Sequence, residues 1–273
     1  MRHQPKAVHR SAARWGRRFA AGALLSVGLC GCASLWDEVT SKDFSVSTMF
    51  NPPNPLMVLK ESTDGDQRAK ALAALHEPKQ NGGTDQDQDF VVQVLTTAAS
   101  SERQPWCRLK AIGSLGQFKD PRAVKGLEDA YYKAAVFPTD TAHNIRVASI
   151  TALGNTKNPE AVPILVRLVR QKPVEGSEQE KRQNLDERIA AAHSLGNFSQ
   201  YQATEALVAV VQSDKDIALR DCAYDSLKTI TGKDLPPEPQ AWADFLHQNG
   251  NKDIVVEAQG PFGKIMGWLG AGN

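Results

Sequence analysis

The residues with the most distinctive chemistry lie in one short stretch near the start of the 273-residue chain. In "LLSVGLCGCASLWDE", Leu24 to Glu38, Cys30 and Cys32 stand one residue apart where an apolar run gives way to polar sequence. Two thiols at this spacing are compatible with a disulfide, a metal-binding pair or a localisation signal. The residues that precede them distinguish between these possibilities.

The segment before the two cysteines is typical of an export signal. The first 31 residues contain six basic side chains and no Asp or Glu, and an uncharged run of 11 residues extends from Phe19 to Leu29. A basic region, a short apolar region and small residues at its end define a secretory signal. A run this short does not span about 30 Å of hydrocarbon. We therefore expect export, with a buried N-terminal helix or a membrane anchor as the alternative.

The sequence "LCGC" from Leu29 resembles the lipobox of bacterial lipoproteins, which has an aliphatic residue at −3 and a small one at −1 before the lipidated cysteine. The resemblance implies removal of residues 1–31 and acylation of Cys32; Cys30 fits less well, because Leu29 would then occupy −1. Stable anchoring needs more than one acyl chain or signal, which a diacyl or triacyl cysteine supplies. Ala33, where inner-membrane lipoproteins have aspartate, favours the outer membrane. We expect a protein lipid-anchored to the bacterial cell envelope on the periplasmic side.

Cleavage at this position would leave a mildly acidic chain. The whole sequence has 32 basic and 31 acidic residues, and loss of the signal leaves 26 against 31. Nucleic-acid binding depends on clustered Lys and Arg, and adhesion to an anionic surface also requires positive charge. We therefore expect no nucleic-acid partner, and contact with the membrane through lipidated Cys32.

The remaining cysteines and histidines match no catalytic or metal-binding motif. Cys107 and Cys222 are 115 residues apart, which permits a disulfide but favours two buried thiols, since free cysteine is among the most buried residue types. "TGKD", Thr231 to Asp234, lacks the upstream glycine of a phosphate-binding loop. The histidines are scattered, and His193 falls on the solvent face of its predicted helix: His76, His143, His193 and His247. We expect no catalytic residue, no metal and no cofactor.

From Gly65 onward the chain repeats itself at intervals of 40, 38, 42 and 32 residues, the signature of a repeat architecture. The five copies are "RAKALAALH", "RLKAIGSLG", "RVASITALG", "RIAAAHSLG" and "RDCAYDSLK", which begin at Arg68, Arg108, Arg146, Arg188 and Arg220. Counted from the arginine, positions +3, +4 and +7 lie on one face of a helix, and small residues at +3 and +6 permit close helix packing. The glycines at +8 are expected to end their helices in the left-handed conformation: Gly116, Gly154 and Gly196.

A second apolar helix follows each of these glycines in matching register, with alanine seven and leucine eleven residues further on. Helix, glycine turn and helix at intervals near 40 residues resemble the HEAT family in its short, PBS-lyase-like form, over about Asp66 to His247. The resemblance implies an all-α, HEAT-like α-solenoid of about five helix-pair repeats, which stack because one pair cannot bury its apolar face alone. HEAT arrays are binding scaffolds with many different roles, so the fold does not define the function.

The insertions and the recurrent arginines each have two interpretations. Polar insertions after His76 and ahead of Arg146 and Arg188 are loops on a binding face or spacers, and Ser177 with Glu180 has capping-box spacing in the last of them. The stacked arginines could form an anion-binding row. We favour the alternative, in which each pairs with acids or helix-end carbonyls of a neighbouring element.

The sequence divides into four segments: the signal peptide 1–31, a tether with a short covering helix 32–62, the solenoid 63–247 and a C-terminal tail 248–273. The covering helix is expected to begin at Asn54–Pro55, and Trp242 marks a helix that caps the array. In the tail, four apolar residues share one helical face, with Trp268 beside them: Phe262, Ile265, Met266 and Leu269. This group is a candidate contact for a membrane surface or a partner, or it folds back over the array.

Together these features predict a lipid-anchored scaffold or adaptor that binds an unidentified protein and catalyses no reaction. One alternative is an enzyme-accessory role like that of PBS-lyase-like proteins, which attach bilin pigments inside cells and so disagree with an export signal. Another is a structural or small-ligand-binding envelope lipoprotein. An exposed apolar patch would favour protein binding, and a closed pocket with perturbed ionisable groups would favour an enzyme.

Overall fold

Stacked pairs of helices form the part of the chain that the computed structural model describes, residues 54–236, 238–250 and 252–254. No β-strand occurs within these residues, and the predicted all-α solenoid is confirmed. Two short 3₁₀ turns, Pro78–Asn81 and Ala134–Val136, accompany the α-helices. The α-helices are α1 (Pro55–Glu61), α2 (Gly65–Ala73), α3 (Asp85–Ser101), α4 (Pro105–Leu115), α5 (Pro121–Lys133), α6 (Thr139–Thr156), α7 (Ala161–Val169), α8 (Glu178–Leu195), α9 (Tyr201–Ser213), α10 (Ile217–Thr231) and α11 (Pro239–Gln248).

The helices alternate along the chain between the first and the second helix of a copy, and the two kinds make different contacts. The first helices of the five copies, α2, α4, α6, α8 and α10, contact one another in that order. Each second helix, from α3 to α9, packs against the first helix of the following copy. Their buried side chains form one continuous hydrophobic core, so each copy contributes to the burial of the next.

The predicted apolar face is the face that the array buries. All side chains at +3 and +7 of the five copies are buried, as are those at +4 except Tyr224, which is half-buried. Leu115, Leu153 and Leu195 at +7 are fully inaccessible to solvent. Burying one leucine contributes about 1.5–3 kcal/mol, so this face is a principal source of the stability of the stack.

The expectation for the +8 glycines is wrong. Gly116 and Gly196 have φ of −61° and −59°, in the right-handed region, and Gly154 lies inside α6. Their role is close helix packing, because a Cβ on Gly154 would stand 2.7 Å from the Cβ of Ser194. Each glycine faces the small +6 residue of the next copy, in the pairs Gly116–Ala152, Gly154–Ser194 and Gly196–Ser226.

Serines at position +6 also bond neighbouring first helices directly. The Ser114 hydroxyl donates to the Leu72 carbonyl at 2.8 Å, and the Ser194 hydroxyl donates to the Ile150 carbonyl at 3.1 Å. In both bonds the acceptor is the +4 residue of the preceding copy. Small residues at this position therefore allow both close approach and a hydrogen bond between copies.

The polar insertions are largely helical. α6 begins at Thr139, and α8 begins at Glu178 behind the predicted capping box of Ser177 and Glu180, which is confirmed. α3 begins at Asp85, behind a second capping box made by Thr84 and Asp87. The first turns of α3 and α6 were not predicted, because polar residues on an exposed first turn carry no apolar periodicity.

Both ends of the array are covered. α1 begins as predicted, with the Leu56 N–H donating to the Asn54 side chain at 2.9 Å, and it packs on α2. At the other end α11 packs against α9 and buries Trp242, as expected of a capping helix. Residues 252–254 return to the start of α9, where the Ile254 N–H donates to the Ser199 carbonyl at 2.7 Å.

Candidate functional site

The residues that the sequence singled out for attachment and surface contact lie outside the described part of the chain. This applies to the signal peptide, to lipidated Cys32 and to the apolar group in the tail, and their roles stay predictions. The tail residues concerned are Phe262, Ile265, Met266, Trp268 and Leu269.

The other sequence candidates are separated from one another. Cys107 and Cys222 are free thiols; Cys107 is buried as predicted, whereas Cys222 is half-buried, and burial raises the pKa of both. His193 is exposed as predicted, and so are His76 and His247. Among residues 54–236, 238–250 and 252–254, no three His, Cys, Asp or Glu side chains are grouped to hold a metal ion.

Three of the recurrent arginines bind helix ends, which confirms the structural interpretation for these copies. Arg108 donates from Nε to the Glu102 carbonyl at 2.7 Å and from Nη1 to the Lys133 carbonyl at 3.1 Å. Arg188 donates to the Val169 carbonyl at 3.3 Å and pairs with Asp214. In the first copy, Arg68 donates to the Leu59 carbonyl at 2.7 Å and pairs with Glu102. The carbonyl end of a helix is its negative end, so these cations stabilise it.

Arg146 in the third copy departs from this arrangement. Its Nε donates to Glu187 Oε1 at 2.6 Å, and the Tyr131 hydroxyl donates to Glu187 Oε2 at 2.8 Å. Only 8% of the Glu187 side chain is exposed. A buried carboxylate is tolerated only when it is paired and hydrogen-bonded, and these two donors satisfy one oxygen each. Tyr131 belongs to the second copy and Glu187 to the fourth, so the cluster spans the third.

Glu187 and Tyr131 occupy positions that are apolar in most of the other copies, although Gln67 precedes the arginine of the first copy. Glu187 immediately precedes its repeat arginine, where Cys107, Ile145 and Leu219 are fully buried. Tyr131 lies fifteen residues after its +8 glycine, in register with Val169 and Val211. Neither residue was among the sequence candidates. The available signal is that Glu187 is the one acid among the five residues that precede the repeat arginines.

An open cleft of about 530 Å³ lies over this cluster. It is lined by the end of α5, the first turns of α6 and α8, and residues 174–176 of the connection between α7 and α8. The inserted turns of α6 and α8 provide much of its wall. Two insertions that the sequence left open as loops or spacers therefore build one concave surface.

Several polar groups of the cleft remain available to a ligand. Arg146 is 22% exposed, and its two Nη groups have no hydrogen-bond partner within the described residues. Gln183 is buried and donates from Nε2 to Asp140 at 3.1 Å, while its Oε1 accepts no bond from the described part of the chain. Glu175 is exposed at the rim.

Protonation states in the cleft follow from its contacts. Burial, followed by the charge of Glu187, raises the pKa of Tyr131, so its hydroxyl remains a donor at neutral pH. The Ser177 N–H and hydroxyl lower the pKa of Glu180, which stays ionised. His143 Nδ1 is buried 3.6 Å from Glu187 Oε1 and makes no hydrogen bond within the described residues. The site offers fixed donors and acceptors, an arrangement suited to binding polar groups.

Residues 145–171 match the family model described as PBS lyase HEAT-like repeat. The match covers most of α6 and all of α7, and it includes Arg146. A comparison with curated proteins gives no match. Within the described ranges, no helix has the length and apolar character needed to cross a membrane.

Proposed function

Since the chain is a HEAT-repeat protein, we propose that it is a non-catalytic scaffold, lipid-anchored to the bacterial cell envelope, that binds another protein. The observation that supports this most directly is the open polar cleft at Arg146 and Glu187. Its side chains present hydrogen-bonding groups to solvent. Preformed concave sites of this size are typical of ligand recognition.

Attachment at Cys32 would hold this surface near a membrane. The 22 residues between Cys32 and α1 can span at most about 80 Å at 3.3–3.6 Å per residue. We propose the periplasmic face of the outer membrane as its location.

Substitution of the lipidation site tests the anchor. Cys32→Ala is expected to move the protein from the detergent-rich to the aqueous phase in a phase-partition experiment, because acylation supplies the apolar surface that holds it in the membrane. Cys30→Ala is the matched control and is expected to leave partitioning unchanged. Retention of the Cys32→Ala protein with membranes would refute the anchor.

Binding is tested by crosslinked affinity capture of the lipidated protein from its own membranes, followed by mass spectrometry. A single envelope protein recovered in stoichiometric amount is the expected result. A variant lacking residues 260–273 is compared in parallel, and loss of the partner there would assign the contact to the tail. Absence of any enriched protein would contradict a scaffold and favour a small-ligand or structural role.

A further inference from the structure

We propose that the cleft between α5, α6 and α8 binds an extended segment of a partner protein that carries a basic side chain. The proposal rests on the scaffold function above and names the site and the chemistry of the segment. It follows from three properties of the cleft: unused hydrogen-bonding groups, an excess of negative charge, and apolar side chains at the rim.

The unused polar groups match the needs of a polypeptide backbone. Each residue of an extended segment presents one N–H donor and one carbonyl acceptor that must be satisfied when buried. The Nη groups of Arg146 are donors for a carbonyl, and Oε1 of buried Gln183 is an acceptor for an N–H. Both side chains are held in place by their other bonds, to Glu187 and Asp140 respectively, which lowers the entropic cost of binding.

The charge of the cleft selects a basic residue. Arg146 is compensated by Glu187, which leaves the carboxylates of Glu175 and Glu180 as the uncompensated charges of the lining. Glu180 uses Oε2 in its capping box, so Oε1 is available to a ligand. An acidic segment would meet like charges here, a juxtaposition that interfaces avoid.

Apolar side chains complete the site for a long basic side chain. Tyr132 is 54% exposed and Val174 is 40% exposed, and both line the cleft. Lys and Arg bury their aliphatic stems on such surfaces while the charged head stays with carboxylates. The Arg167 guanidinium already lies 6.0 Å from the centre of the Tyr132 ring, so Tyr132 offers the ligand apolar contact. The cleft is open to solvent, so a continuous chain can enter and leave it.

The test uses the mature, lipidated protein in detergent and two fluorescein-labelled hexapeptide libraries that differ only in a central Arg or Glu. Fluorescence anisotropy is expected to show at least tenfold tighter binding of the Arg library, weakened by added salt because exposed charges are screened. Glu175→Gln and Tyr132→Ala are each expected to weaken binding several-fold. Glu61→Gln, an exposed acid at the end of α1, is the matched control and should have no effect. Equal affinity for both libraries would overturn the proposal.

A second variant separates binding from folding. Tyr131→Phe, Arg146→Met and Glu187→Leu together replace the cluster by apolar side chains and should leave thermal stability near that of the wild type, since buried ion pairs are replaceable in this way. Peptide binding should fall by tenfold or more. Unchanged binding by this folded variant would show that the cluster is structural and refute the proposal.

The site and the scaffold function can fail separately. Capture of a membrane partner that is unaffected by Glu175→Gln would retain the scaffold and reject the cleft as its contact. Selective binding of the Arg library without any captured protein would retain the cleft and reject the scaffold at the membrane.

Discussion

Glu187 illustrates how one residue alters a repeat. The same position holds fully buried Cys107, Ile145 and Leu219 in three other copies and half-buried Gln67 in the first. An acid there would be an uncompensated buried charge without Tyr131 and Arg146. Local pattern cannot predict this pairing, because Tyr131 lies 56 residues from Glu187. The capping box of Ser177 and Glu180, by contrast, was predictable because it spans three residues.

We predict that Glu187→Leu alone lowers the free energy of unfolding by about 1–3 kcal/mol, because the Tyr131 hydroxyl and the Arg146 guanidinium lose their acceptor. Adding Tyr131→Phe and Arg146→Met should restore most of the loss, since all three polar groups are then absent. Urea denaturation of the single and triple variants measures both effects. A triple variant less stable than the single one would contradict the explanation.

We predict that Asp120 contributes to the stability of the fold and that acid removes this contribution. Asp120 caps α5, because its carboxylate accepts a 2.9 Å bond from the Arg122 N–H. The Arg122 side chain, aided by Gln88, holds the pKa of Asp120 well below its ordinary value. A lowered carboxyl pKa gives stability that is complete above the unfolded pKa of about 4 and is lost as the pH falls through the folded one. Asp120→Asn should therefore flatten the loss of stability between pH 5 and pH 2 in urea titrations, and Arg122→Gln should do the same. An unchanged acid slope in both variants would refute the role.

At the scale of helices, sequence periodicity was sufficient to place the buried face but not to explain the glycines. Positions +3, +4 and +7 recur in every copy, so one helical face could be derived by counting. The role of Gly154 depends on Ser194, 40 residues away, and no local rule supplies that contact. The added turns of α6 were missed for a related reason, because exposed polar residues carry no apolar periodicity, whereas the start of α8 was predictable from its capping box.

We predict opposite effects for two glycine-to-alanine substitutions in first helices. Gly113→Ala, in α4 with no atom near its added Cβ, should stabilise the protein by up to about 1 kcal/mol through helix propensity. Gly154→Ala, in α6, should destabilise it by about 1–3 kcal/mol, because the new methyl group overlaps Ser194 and forces helices apart. Thermal denaturation of the two variants measures both changes in stability. Equal gains in stability would show that close packing is not the role of Gly154.

For the molecule as a whole, stability should follow the order of the copies. In a linear array each repeat depends on its neighbours, and here every second helix also packs on the next copy. The last copy has no successor, so α11 with Trp242 must close the core at that end. The number of copies and the capping helix were predictable from the sequence, whereas the cleft was not.

We predict that Trp242→Ala destabilises the last copies selectively. Loss of a fully buried aromatic side chain costs about 3–5 kcal/mol, and in a linear array the effect should decline with distance from α11. Hydrogen exchange should accelerate in α9 to α11 and stay slow in α2 to α4. Trp106→Ala is the control, because the Trp106 side chain is 51% exposed. It should leave the hydrogen-exchange rates along the helices unchanged. Uniform acceleration along the chain would indicate a single cooperative unit instead.

The glycine-to-small-residue contact between successive first helices bears on how such a chain can lengthen. Gly116, Gly154 and Gly196 meet their neighbours in the same geometry, so a duplicated copy would find a compatible surface on both sides. The bond from Tyr131 to Glu187 spans one copy and would be broken by a duplication placed between them. Duplications beyond Glu187 would preserve it. Growth of the array by tandem duplication is thus permitted towards the C-terminal end and opposed at the cleft.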